Sequence, residues 1–264
     1  MKTLAALTVG LIAFHRPAFA QDREPNALYL TGEADSSPTF SGGAAEADWV
    51  HAVSSRSSIT LGGGSTAVAD LHWHYGLAGG YLRRHRVVYA GRIGLGGGRT
   101  HEDGFSYARY VGTVAVPIAG GVHGEAEAQY VRVAGSAAMV FKVGSVYSGI
   151  RGVSLRAAYY STSSAMSRAH LVSGQGEWNG GRFSVFGGAA KAAGSVRPVV
   201  VAPTDLTTHP SAELFGGASV AVGRSRLIGS VQMVPQTPGR LIRVVTTLKL
   251  SLESSAEPPR QDAQ

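Results

Sequence analysis

Asp70, His72 and His74 occupy alternate positions of one extended segment, so their side chains would project to one side. Two imidazoles and a carboxylate so arranged suit zinc or another borderline divalent metal. The same spacing also fits three solvated side chains, and this reading assigns neither a metal nor a cofactor. Six basic residues, Arg92, Arg109, Lys142, Arg156, Arg243 and Lys249, fall on the polar phase of their segments. The guanidinium fork matches carboxylate and phosphate groups, so such a set could select anions or could pair with acids of its own wall. His123, Glu125, Glu127 and Gln129 share one face of a single segment. Glu125 and Glu127 adjoin the segment bearing Arg109, which suggests cross-strand pairing. His170 and Ser173 have the residue types of a base and a nucleophile, but their odd spacing puts them on opposite faces of a regular strand. The glycine runs 62–64 and 94–98 precede no helix, so they lack the N-terminus that a phosphate cradle needs. They are read instead as relief of crowding or as bulges in a curved sheet.

The elements holding these residues alternate with period two. Ile242, Val244, Leu248, Leu250 and Leu252 oppose Arg243, Thr247, Lys249 and Ser251. Val87, Tyr89, Ile93 and Leu95 oppose Arg86, Arg92 and Gly96, and Val122, Ala126, Ala128 and Tyr130 oppose His123, Glu125, Glu127 and Gln129. Such alternation fits any half-buried antiparallel sheet. The polar faces here are Gly, Ser and Ala with isolated charges, while the apolar faces are too light for the core of a soluble sandwich. An all-β closed antiparallel transmembrane barrel, polar inside and apolar toward lipid, accounts for both faces. Leu71, Trp73 and Tyr75 are then expected outward, as part of an aromatic belt, with His72 and His74 toward the lumen.

Turn lengths alternate in the same sense. The links 118–121, 149–152, 178–181 and 223–225 are short, and those at 99–104, 134–137, 161–167, 194–210 and 235–239 are longer or more polar. Counting back through 57–65 and 27–32 gives about fourteen strands, with twelve as the alternative, and both numbers are even as single-chain barrels require. The 194–210 stretch, with Pro198, Pro203 and Pro210, is the longest irregular segment and is expected on the extracellular side as a surface loop.

The start of the chain has Lys2, an eleven-residue apolar run from Leu4 to Phe14, and Ala18-Phe19-Ala20 before Gln21. That is the three-part pattern of a secretory signal peptide, and the run is short of the roughly 20 residues a membrane helix needs. The expected organisation is a signal peptide at 1–20, cleaved near Ala20, a barrel over 21–252, and a polar disordered tail at 253–264. Removing residues 1–20, which hold two basic residues and no acid, leaves 22 basic against 17 acidic residues, a net +5. That mild excess forms no basic run, so nucleic-acid binding is a poor reading. The chain has no cysteine, and stability without disulfides must come from burial or a closed ladder of strand pairing.

The signal peptide, the alternation over 27–252 and the turn asymmetry resemble those of bacterial outer-membrane β-barrels, porin-like proteins among them, and in size the chain is similar to the YaiO-like group. The chain departs from that class at its end. Many such barrels stop at an aromatic residue closing the last strand, whereas this one passes Leu252 into a polar tail. The resemblance implies a Gram-negative outer-membrane location, with membrane lipid, the barrel assembly machinery and small solutes as partners. The expected function is a passive or weakly selective pore for small anionic solutes. The alternative is a narrow, filled barrel with a structural, assembly or polysaccharide-export role. An embedded lipid-modifying enzyme is a third reading, and no catalytic residue is assigned.

Overall fold

The computed structural model describes residues 26–38, 41–69, 71–100, 103–164, 168–192, 212–235 and 239–252. The expected signal peptide at 1–20, the 194–210 segment, the expected tail at 253–264 and Asp70 lie outside them. Fourteen strands follow one another: β1 (Ala27–Ser36), β2 (Ser41–Ser54), β3 (Ser57–Val68), β4 (Leu71–Arg84), β5 (Val87–Arg99), β6 (Gly104–Ala119), β7 (Val122–Val133), β8 (Ser136–Ile150), β9 (Val153–Ser164), β10 (Arg168–Asn179), β11 (Phe183–Ala192), β12 (Ala212–Val222), β13 (Ser225–Pro235) and β14 (Arg240–Ser251). Each pairs antiparallel with its sequence neighbour, and β1 pairs with β14, so the sheet closes into a barrel without an edge. The fourteen-strand count holds and the twelve-strand alternative does not. A tilted strand of roughly 10 residues crosses a hydrocarbon layer of about 25 Å. The strands here have 10 to 16 residues, enough to do so.

Both β1 and β14 have their outer ends at one mouth of the barrel, here called the terminal end; the other mouth is the loop end. The four links read as short all lie at the terminal end, and the five read as long all lie at the loop end. One link differs from expectation. The 134–137 connection is a two-residue turn, with Ala134 at φ 48° and Gly135 at φ 80°, as tight as the Gly120–Gly121 turn opposite. Consecutive positive φ values match the right-handed twist of a hairpin, so this turn needs no longer loop. Register shifts occur at Ala52/Ser54, Pro117/Ala119 and Tyr147/Ile150, all near the terminal end. Pro117 has no N–H to give to a ladder, and it sits where the ladder is already interrupted.

The outward phase is apolar through the middle of the strands, with Leu30, Leu61, Ile93, Val143, Leu155, Val172 and Val231 all exposed. Trp49, Tyr89 and Trp178 stand toward the terminal end of that band. Tyr110, Tyr130, Phe141 and Tyr159 stand toward the loop end, the first two with ring centroids 5.9 Å apart. An exposed aliphatic belt flanked by aromatic rings is the surface a β-barrel presents to a lipid bilayer.

Candidate functional site in the barrel lumen

Closure sends every second side chain inward, and period-two alternation decides which. All six basic residues picked out by phase, Arg92, Arg109, Lys142, Arg156, Arg243 and Lys249, line the lumen, as do His123, Glu125, Glu127 and Gln129. The structure brings most of the basic side chains onto carboxylates. Arg243 on β14 holds Asp35 on β1 in a two-pronged contact at 2.8 and 2.9 Å, and its Nε lies 2.9 Å from Glu33. Arg92 on β5 donates to Glu46 at 2.9 Å and to Asp48, both on β2, while the Tyr75 hydroxyl donates to the other Glu46 oxygen at 2.6 Å. Lys142 and Arg156 converge on Glu125 at 2.8 and 3.5 Å. Lys249 lies 5.5 Å from the Tyr29 ring, within cation–π range.

Arg92 and Arg156 reach past intervening strands, and inward glycines clear their way. Arg156 on β9 reaches Glu125 on β7 across Gly144 of β8, where a Cβ would come within 3.2 Å of the Glu125 oxygen. Gly62 lies opposite Asp48 in the β2–β3 register, and a Cβ there would collide with the Asp48 carboxylate. The glycine-rich stretch 62–64 is therefore floor space under charged side chains, in line with its reading as relief of crowding.

Arg109 is not the partner of Glu125 and Glu127. The register sets it opposite Val131, with Glu127 opposite Thr113 on one side and Lys142 on the other, so Lys142 lies nearer to the pair. Arg109 borders instead a cavity of about 10 Å³, room for about one water, shared with Glu46, Tyr75, Arg92 and Tyr107.

The expected orientation of β4 is reversed. Leu71 and Trp73 are 2% and 3% exposed and point into the lumen with Tyr75, whereas His72 and His74 face outward and are exposed. Trp73 stacks on Tyr107 with centroids 6.2 Å apart and tilts against Phe105 at 6.4 Å; Val68, Val131 and Val133 complete an apolar cluster inside the loop end. Assigning apolar side chains to lipid fails there because the interior of this mouth is packed with rings and aliphatics. His72 and His74 do share a face, but Asp70 lies outside the described residues, and among the described residues no third ligating side chain joins them. His170 faces outward, where its Nδ1 is 2.6 Å from the Tyr159 hydroxyl, and Ser173 faces inward, so the two form no nucleophile–base pair.

Sequence reasoning overlooked the acids that neutralise the wall. Glu33, Asp35, Glu46, Asp48 and Glu213 all lie on the inward phase. The doublets Glu33/Asp35 and Glu46/Asp48, each spaced by two, were the available signal. Among the described residues the inward phase carries eight carboxylates, the five just named with Glu125, Glu127 and Glu177, against eight cations, the six basic residues with Arg83 and Arg226.

The Pseudomonas putida toluene transporter TodX superposes with a TM-score of 0.62 at 8% identity, covering 91% of this chain and 93% of that one. The chain has the fold of an outer-membrane β-barrel. The Ralstonia pickettii toluene transporter TbuX gives a TM-score of 0.58 at 10% identity over 94% and 95% of the two chains. The KdgM porin in complex with oligogalacturonate gives 0.51 at 7% identity over 86% and 99%. No protein-family model matches the chain, and no curated protein does. These similarities concern architecture; the residues of the lumen are this chain's own.

Proposed function

We propose that this chain is a passive, weakly selective pore for small solutes in a Gram-negative outer membrane, exported by its signal peptide and inserted by the barrel assembly machinery. The observation that carries the reading is a closed fourteen-strand wall with an apolar outer belt and an ionised inner face. Its architectural neighbours, channels and porins, support a transport role and a non-enzymatic one. Solute charge is set by the balance of fixed groups in the lumen. Eight inward carboxylates facing eight cations support weak discrimination more than the anion preference expected from the arginines alone.

The test is conductance of the refolded mature chain in planar bilayers. Stable channels with a reversal potential close to the non-selective value are expected under a salt gradient. Arg92→Gln releases Glu46 and Asp48 from their cation, so the reversal potential should move toward the cation value; an unchanged value removes this group from the account. Complete absence of current would favour the narrow, filled barrel, a reading supported by the apolar cluster around Trp73 inside the loop end.

A further inference from the structure

The turns at the terminal end of the barrel are basic. At the terminal end six hairpin turns connect the strands, and five of them carry an arginine: Arg56, Arg86, Arg151, Arg182 and Arg224. The sixth is Gly120–Gly121, and none of the six contains a carboxylate. The lumen, with its near balance of charges, does not account for a basic rim at one mouth.

The rim has a recess. Between the β2–β3 and β4–β5 turns lies a groove of about 660 Å³ lined by Ser55, Arg56, Leu82, Arg83, Arg84 and His85. The Arg83 amide donates to the Arg56 carbonyl at 2.7 Å, which fixes the two turns against each other. Four basic residues thus line one space, with no acid among the lining residues. Leu82 is 49% exposed on the outward phase, and Ile59 and Leu61 continue the apolar surface up the neighbouring strand. The groove is therefore cationic toward the terminal end and apolar toward the lipid belt.

We infer that this groove seats the headgroup of an anionic phospholipid, its phosphate among Arg56, Arg84 and His85 and its acyl chains along Leu82. A soluble anion would use the arginines and leave the apolar flank uncovered, while a zwitterionic lipid would bring no net charge. Each basic residue near a membrane surface contributes about 1 kcal/mol toward an anionic lipid, roughly fivefold in affinity. Guanidinium also offers the phosphate paired donors that an ammonium lacks. The site is independent of conduction and stands whether the barrel is open or filled.

The experiment is native mass spectrometry of the refolded mature chain in neutral micelles, titrated with short-chain phosphatidylglycerol or phosphatidylcholine. The wild type should retain phosphatidylglycerol at least tenfold better, and Arg56→Gln with Arg84→Gln should lower that retention roughly tenfold or more. Arg56→Lys with Arg84→Lys should restore most of it, and Arg151→Gln with Arg182→Gln, on distant turns, should leave it within about twofold of wild type. Equal retention of the two lipids overturns the proposal. So does an unchanged preference in the folded Gln double variant, an equal loss in the distant pair, or displacement of the lipid by equimolar glycerol phosphate. Folding of each variant is checked by the resistance of the closed barrel to unfolding in detergent at room temperature.

Discussion

Strands β2 to β9 and strands β10 to β13 form opposite stretches of the same wall, yet they are braced differently. In the first, charged bridges span three strands, as between Arg92 and the β2 acids, or two, as between Arg156 and Glu125, and an aromatic cluster fills the loop end. In the second, the inward side chains are mostly small or uncharged, and hydrogen bonds run chiefly between adjacent strands. Ser184 meets Ser219 at 2.7 Å, and Gln232 donates to Glu213. The difference teaches that a barrel ladder can hold its strands without lumenal help, and that ionic and aromatic bracing marks the sector whose inner surface has been given a fixed shape.

The largest effect should come from removing an acid of the braced sector. Glu125→Ala takes from Lys142, whose side chain is 5% exposed, the carboxylate 2.8 Å away and leaves it Glu127 opposite in the register. Breaking a buried pair from one side costs about 3–5 kcal/mol, to be read from urea unfolding in lipid vesicles. A loss below about 1 kcal/mol would mean that Glu127 or water takes the place of Glu125 beside Lys142 and that the bridge is worth no more than a surface pair. Next comes Trp73→Ala, expected to cost about 3 kcal/mol from the cavity it leaves among Tyr107, Phe105 and the valines. Because the cluster lies inside the loop-end mouth, the same substitution should raise single-channel conductance if current passes there. The smallest effect belongs to the other sector. Ser184→Ala removes one member of a hydroxyl pair between adjacent strands and should cost about 1 kcal/mol. Should it rival Glu125→Ala, the contrast between the sectors disappears.

The alternation at Val87–Leu95, Val122–Tyr130 and Ile242–Leu252 was enough to read the strands and their inward faces, because lipid and lumen impose opposite polarity on neighbouring residues. The turn chemistry then ordered the strands into an even-numbered barrel. Partners within the lumen were less legible. Pairing Arg109 with Glu125 required a register that phase alone does not contain, and the register favoured Lys142 and Arg156 instead. The face of β4 was misread because hydropathy predicts orientation only where one side is hydrocarbon. At the loop end, Trp73 and Tyr75 find an apolar environment inside the barrel, and His72 and His74 are left outside.

Closure by β1 and β14 has a consequence for how the molecule comes into being. Asp35 and Arg243, joined across that seam, are 208 residues apart, so the contact that completes the ring unites nearly the whole length of the polypeptide. Contacts so distant along a chain form late and slowly, since the loop entropy must be overcome first. Until they form, two raw strand edges stand open to other chains. A chain ending before Arg240 lacks the strand that joins β13 to β1.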